Sequence, residues 1–159
     1  MARLVPEFDL HLRVAAELHP VGPGPYGDRL EGTITGGEVT GERLEGELVG
    51  AAADWMLVGT DGFGRVDVRA TVQTVDGAHV YVQYAGLLEL TPAVVALMQG
   101  GDTPTDFGDQ YVVTALRLET GDERYAWVNQ AVFVAEGRLL PDRRMEYRVH
   151  RVVPGDGTP

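Results

Sequence analysis

Apolar and polar residues alternate with a period of two along most of this chain, and that period belongs to strands. Such stretches recur near 7–18, 29–35, 43–50, 55–59, 65–75, 78–87, 111–120, 125–136 and 144–153. Turn signals separate them: "VGPGPYGD" at 21–28, "TGGEVTGE" at 35–42, "GTDGFG" at 59–64, "DG" at 76–77 and "TGDER" at 120–124. Many short strands joined by Gly/Pro turns fold as a sandwich or a barrel, because those arrangements bury one face of every strand.

A length of 159 residues suits a single core, and no repeat or linker divides it. One domain over 1–153 is expected, with "PGDGTP" at 154–159 fraying as a disordered tail. The net charge of −11 argues against nucleic acid, since phosphate binding needs clustered cations to displace counterions. Anionic membrane surfaces are disfavoured on the same ground. The chain has no cysteine, which removes disulfides, thiolate nucleophiles and cysteine-rich metal sites. It has no serine, hence no serine nucleophile, and no lysine, so its basic side chains other than histidine are all arginine. The four histidines, His11, His19, His79 and His150, lack metal-ligand spacing, and no metal is expected. No apolar run approaches the ~20 residues of a membrane span, and "MARLVPEFDLHLRV" lacks a signal-peptide core. A cytoplasmic protein is the expectation.

One helix is signalled at "LTPAVVALMQGG", with Thr91 to cap it, Pro92 at its first position and Gly100 or Gly101 to end it. The following "GDTPTDFGD" reads as a mobile loop. Asp76-Gly77 is the preferred pair for a two-residue hairpin turn. With that turn, Arg69 faces Tyr84, Thr71 faces Val82 and Asp67 faces Gly86, so Asp67 and Arg69 become candidate inward charges. Further on, "GDERYAWVNQAVFV" read as a strand is dry on both sides, with Tyr125, Trp127, Asn129 and Phe133 on one face and Val128, Val132 and Val134 on the other. A wall of that kind needs cover outside as well as inside, and a homodimer is expected to supply it. The register here depends on the length of the 121–124 loop.

Three groups of residues could carry chemistry. The inward set Asp67, Arg69, Tyr84, Tyr125, Trp127 and Asn129 could hold a fixed charge pair and aimed hydrogen bonds. The plainer alternative puts Asp67 and Arg69 on a solvated face and lets Asn129 satisfy backbone. In "GAAADWMLV", Asp54 beside Trp55 could be a general base if burial raised its pKa; otherwise it is a turn aspartate beside a core tryptophan. Glu119, with Asp122, Glu123 and Arg124, could do acid–base work near a barrel mouth or simply form a solvated turn, and "RRMEYRVHR" at 143–151 reads as an exposed polar strand face.

The segments "ITGGEVTGERLEGELVGAAADW", "VDVRATVQTVDGAHVYV" and "YVVTALRLETGDERYAWVNQAVFV" resemble the domain of unknown function 3237 family, of the UPF 0311 type, from about Phe8 to about Val152. The resemblance implies a β-barrel, here a single antiparallel lipocalin- or calycin-like barrel of about nine strands with a short helix near 91–100. It also implies that Asp54, Trp55, Asp67, Arg69, Tyr81, Glu119, Tyr125, Trp127 and Asn129 occupy the family's motif positions. The chain departs from that pattern after Trp55, where a polar residue is expected, and at Tyr84, where a smaller amide or a charge is expected. A polar cluster walled by aliphatics is the usual form of a small-molecule pocket. The function expected is therefore cofactor-free proton transfer, as in an isomerase, cyclase or lyase acting on an aromatic or polyketide-like compound. Asp67 or Asp54 would be the base, Arg69 would hold a developing enolate oxygen, and Tyr125 or Tyr81 would relay a proton. Trp127 and Trp55 would stack on the substrate and Asn129 would orient it. The alternatives are a ligand-binding protein without turnover and a structural dimerisation module.

Overall fold

The computed structural model describes residues 1–155; of the tail expected to fray, residues 156–159 lie outside the described part. Eight strands follow one another: β1 (Arg3–Gly24), β2 (Gly27–Gly41), β3 (Gly46–Val58), β4 (Phe63–Thr74), β5 (His79–Glu89), β6 (Val112–Glu119), β7 (Val132–Leu140) and β8 (Arg144–Val153). Each pairs antiparallel with the next, and β8 pairs with β1, so the sheet closes on itself as a barrel without a free edge. The stretches expected at 43–50 and 55–59 are one strand, β3, whose register shifts between Val49 and Ala53. Among the described residues no helix is long and apolar enough to cross a membrane.

Closure makes one parity of each strand interior. On β4 that parity is Val66, Val68, Ala70 and Val72; on β5 it is Val80, Val82 and Tyr84, all buried. Phe8, Leu10, Leu12, Leu116, Leu118, Phe133 and Val149 complete the filling. Each valine, leucine or phenylalanine among them contributes about 1.5–3 kcal/mol by leaving water.

The β4–β5 hairpin corrects the expected register. Gln73 pairs with His79 and the Thr74 amide reaches Ala78 O, leaving a three-residue turn, 75–77, where two residues were expected. Thr74 makes the difference: its amide donates to Ala78 O at 2.8 Å, and its carbonyl accepts the Gly77 amide at 2.9 Å. Its hydroxyl donates to Asp76 Oδ1 at 2.6 Å and accepts the Ala78 amide. Gly77 takes φ +89°, which a side chain would resist. Arg69 therefore lies opposite Gln83, and Val68 opposite Tyr84. This one-residue slip collects all the valines on one face and sends Asp67 and Arg69 to the other.

The segment expected as a doubly dry strand is corrected too. Residues Glu123–Gln130 wind into a 3-10 helix, started by Asp122, whose carboxylate accepts the Arg124 amide at 3.0 Å. Its buried residues, Tyr125 and Val128, are three apart, the repeat of that helix. β7 begins only at Val132, so the ground for a second covering layer over 125–130 falls away. The 3-10 helix reaches from the β4–β5 hairpin, where Tyr125 donates to Asp76 Oδ1 at 2.9 Å, to the β2–β3 turn, where Arg43 lies 3.7 Å over the Trp127 ring. It plugs that end of the barrel.

The expected helix forms as α1 (Pro92–Met98), capped by Thr91, whose hydroxyl accepts the Val94 amide at 3.3 Å. It buries Val94 and Leu97 at the opposite end, against β7. The loop after it is pinned, not loose: Thr105 exchanges backbone and hydroxyl bonds with Leu139 at 3.0–3.1 Å.

Candidate functional site

Beneath α1 the barrel is not completely filled. A cavity of about 80 Å³ lies between α1, the ends of β1–β3 and the β7–β8 turn. Its walls are apolar, including Val14, Leu18, Leu30, Leu88 and Leu97, and three of the chain's four methionines, Met56, Met98 and Met145, line it. Unbranched thioethers re-pack easily, so this wall adapts to a guest where a branched one would not. Gly32, across from Asp54 in the β2–β3 register, keeps room: a Cβ there would press on Leu18 and Val14 at 3.3 Å. A larger groove of about 480 Å³ near His11, Glu38 and Glu146 is polar, and those charges already have partners, His11–Glu38 at 3.3 Å and Arg138–Glu146 at 2.7 Å.

Asp54 is the one acid in the cavity lining. The shift in β3 before it sets its parity, so it shares the interior face with Ala52 and Met56 while Trp55 points out. Its Oδ1 accepts the Asp67 amide at 3.1 Å, and among the described residues no cation pairs with it. Burial pushes its pKa up from 3.8 to about 6; the Asp67 amide pulls the other way, and the Asp67 charge adds a further upward push. Such a carboxylate is ionised at neutral pH yet basic enough to take a proton.

Behind it lie two fully buried phenols. Tyr84 and Tyr147 pack against each other with ring centroids 5.3 Å apart and planes tilted by 60°. Burial raises both pKa values, and the Asp54 charge raises them further. Gly137 makes space for Tyr147, since a Cβ there would meet its ring at 2.8 Å. The Tyr147 hydroxyl donates to Met145 Sδ at 3.8 Å. A thioether is a weak acceptor, and Met145 stands between this hydroxyl and the cavity that it lines. On β6, the Thr114 hydroxyl is also buried without a partner.

Asp54 and Tyr84 are the expected site residues that the fold brings together. Asp67 and Arg69 do not join them: they pair with each other at 3.4 Å on the outer wall, with Arg69 5.4 Å from the Trp55 ring centroid. Their inward placement is corrected by the hairpin register described above. Tyr81 and Glu119 sit across from each other on the same outer face, and Glu119 pairs with Arg117 at 2.9 Å. Tyr125 and Trp127 belong to the plug at the other end. Asn129 accepts the Thr120 amide and donates to the Thr120 carbonyl, both at 2.9 Å, so its amide is spent on backbone. Asp122 and Arg124 close the same turn at 2.7 Å. The reading of 143–151 as an exposed polar face missed Tyr147 and Arg143; the alternation Met145, Tyr147, Val149 was the available signal.

Comparison with known proteins agrees with this architecture. A UPF0311 protein of Rhodopseudomonas palustris is 31% identical over 120 residues, covering 76% of this chain and 77% of that protein. The crystal structure of a conserved protein of unknown function from the same species superposes with a TM-score of 0.84 at 27% identity, over 96% of this chain and 98% of that one. An enzyme from the fungus Penicillium herquei shares the fold at a TM-score of 0.65 and 18% identity, over 96% and 94% of the two chains. The sequence model of the protein of unknown function family DUF3237 matches residues 2–152, and this chain belongs to that family.

Proposed function

We propose that this barrel binds a small apolar molecule under α1 and moves a proton on it without a cofactor. Asp54 is the base: its carboxylate removes a proton from an acidic carbon beside a carbonyl, leaving an enolate. The Tyr147 hydroxyl, turning from Met145 Sδ, donates to the oxygen that gains charge, and Tyr84 holds the Tyr147 ring in place by packing against it. Return of the proton to a different carbon gives isomerisation, and attack by the enolate carbon on a second carbonyl gives cyclisation. An aromatic or polyketide-like framework suits the aliphatic and thioether walls. The carrying observation is the setting of Asp54: a carboxylate without a cationic partner, on the wall of a mainly aliphatic cavity whose two arginines, Arg143 and Arg144, do not pair with it.

The test follows the proton directly. An aryl ketone such as 2-tetralone, incubated with the protein in D₂O, is expected to exchange its α-hydrogens faster than in buffer, and Asp54→Asn is expected to abolish the excess. Binding of the ketone with no exchange above buffer would reject catalysis and leave a ligand-binding barrel.

A further inference from the structure

We propose that Arg143 anchors a carboxylate, so that the ligand of this cavity is a compact apolar acid. The inference rests on the cavity under α1 being a ligand site, and adds to it the charge of the guest. Asp142 and Arg143 form the tip of the β7–β8 turn with φ +60° and +53°, a left-handed backbone that glycine adopts freely and arginine does not. The Arg143 carbonyl accepts the Val14 amide at 3.0 Å, which ties this strained tip to β1 and aims its side chain at the cavity.

One nitrogen of the half-buried guanidinium is left without an acceptor. Its Nε is buried without a hydrogen-bond partner, and among the described residues no carboxylate pairs with it. What sets Arg143 apart is the buried nitrogen, since Arg29 and Arg144, which also lack a carboxylate, bond backbone carbonyls instead. Arg43, Arg65, Arg124 and Arg138 all hold carboxylates at 2.6–2.7 Å, 2.7 Å for Arg43, 2.6 Å for Arg65, and 2.7 Å for the other two. A buried N–H without an acceptor is costly, and a ligand carboxylate is the acceptor an arginine fork matches best. Arg144 lines the same cavity with its Nε on Pro141 O, so the cavity lining on the β7–β8 side holds two guanidiniums and no acid, Asp142 lying outside it. The guest's carboxylate then sits at this side, its carbon frame against the methionines, and its reactive end toward Asp54.

Two probes of like shape separate the ideas: 2-naphthoate and its uncharged analogue 2-naphthamide. Protein carrying ¹³C-methyl methionine reports location, since Met56, Met98 and Met145 line the cavity and Met1 does not. Titration is expected to move those three methyl signals, with 2-naphthoate binding about tenfold tighter than the amide. Arg143→Gln is expected to erase that preference while amide binding persists, and Arg143→Lys to keep part of it. Equal affinities in the wild type, or a preference that survives Arg143→Gln, would overturn the role of Arg143 and leave the cavity as a ligand site. If neither probe moves the cavity methionines, both the anchor and the site are wrong.

Discussion

The two ends of this barrel are built on opposite principles. At the end closed by the 3-10 helix, every group that looked functional in sequence is engaged: Tyr125 with Asp76, Arg124 with Asp76 and Asp122, Asn129 with Thr120, Trp127 under Arg43. At the α1 end a carboxylate held by one backbone amide and a guanidinium with an unpartnered Nε line a cavity, and a phenol behind it has only a thioether as acceptor. Polar groups that satisfy one another hold structure, whereas polar groups left wanting are what a ligand can use. The difference teaches that residue type alone is a poor guide to function in such a fold; what matters is whether the tertiary neighbours have already consumed the hydrogen-bonding capacity.

That contrast can be broken by mutation. The largest effect is expected at the packed end. Phe133, fully buried and edge-on to Trp127 at 6.0 Å, should cost about 3–5 kcal/mol when cut to alanine, read by urea unfolding. A small loss there would mean the plug is loosely packed.

Asp54→Asn comes next and should act in two directions. Proton exchange on the ketone is expected to fall by about 10²-fold or more, while the fold becomes more stable at neutral pH. The sign follows from linkage. The folded pKa of about 6 exceeds the ordinary 3.8, so the folded state holds this proton more tightly than the unfolded chain does. Its contribution is therefore most favourable below pH 4, declines between pH 4 and 6, and stays at its penalised level above. At ~1.4 kcal/mol per pH unit the penalty is about 3 kcal/mol. The wild-type minus Asp54→Asn stability difference, measured from pH 3.5 to 8, should trace that decline; a flat difference would show Asp54 to be well solvated.

Tyr125→Phe should cost about 1 kcal/mol or less, because it removes a part-buried hydroxyl's bond to an exposed carboxylate but leaves the ring. It should leave ketone exchange untouched, which separates the plug from the site. The smallest effect belongs to Asp67→Asn: an exposed pair at 3.4 Å contributes ~0.5 kcal/mol or less. Loss of exchange in this variant, with stability unchanged, would return the chemistry to the outer wall.

Much of the architecture could be read along the chain. The strands, the α1 helix with its Thr91 cap and Pro92, and a barrel-like all-β class all rest on short-range patterns that the fold retains. Of the ten residues singled out for function, Asp54 and Tyr84 meet near the cavity, and the other eight lie on the outer wall or in the plug. The misreading at Asp67 and Arg69 came from Thr74, whose hydroxyl widens a turn that Asp76-Gly77 alone would have made tight. The misreading at 125–130 came from alternation and a three-residue repeat fitting the same letters, decided by Asp122 as a cap and Asn129 as a brace.

By itself, then, the order of amino acids determined which stretches extend, where they turn, and that one face of each must leave water, because periodicity and caps are properties of neighbours along the chain. Which face that is, and so which carboxylate is buried and which arginine lacks a partner, was decided only when eight strands closed into a ring. Register is a long-range quantity: a single residue gained in one hairpin inverts every side chain beyond it, and no local pattern records that choice.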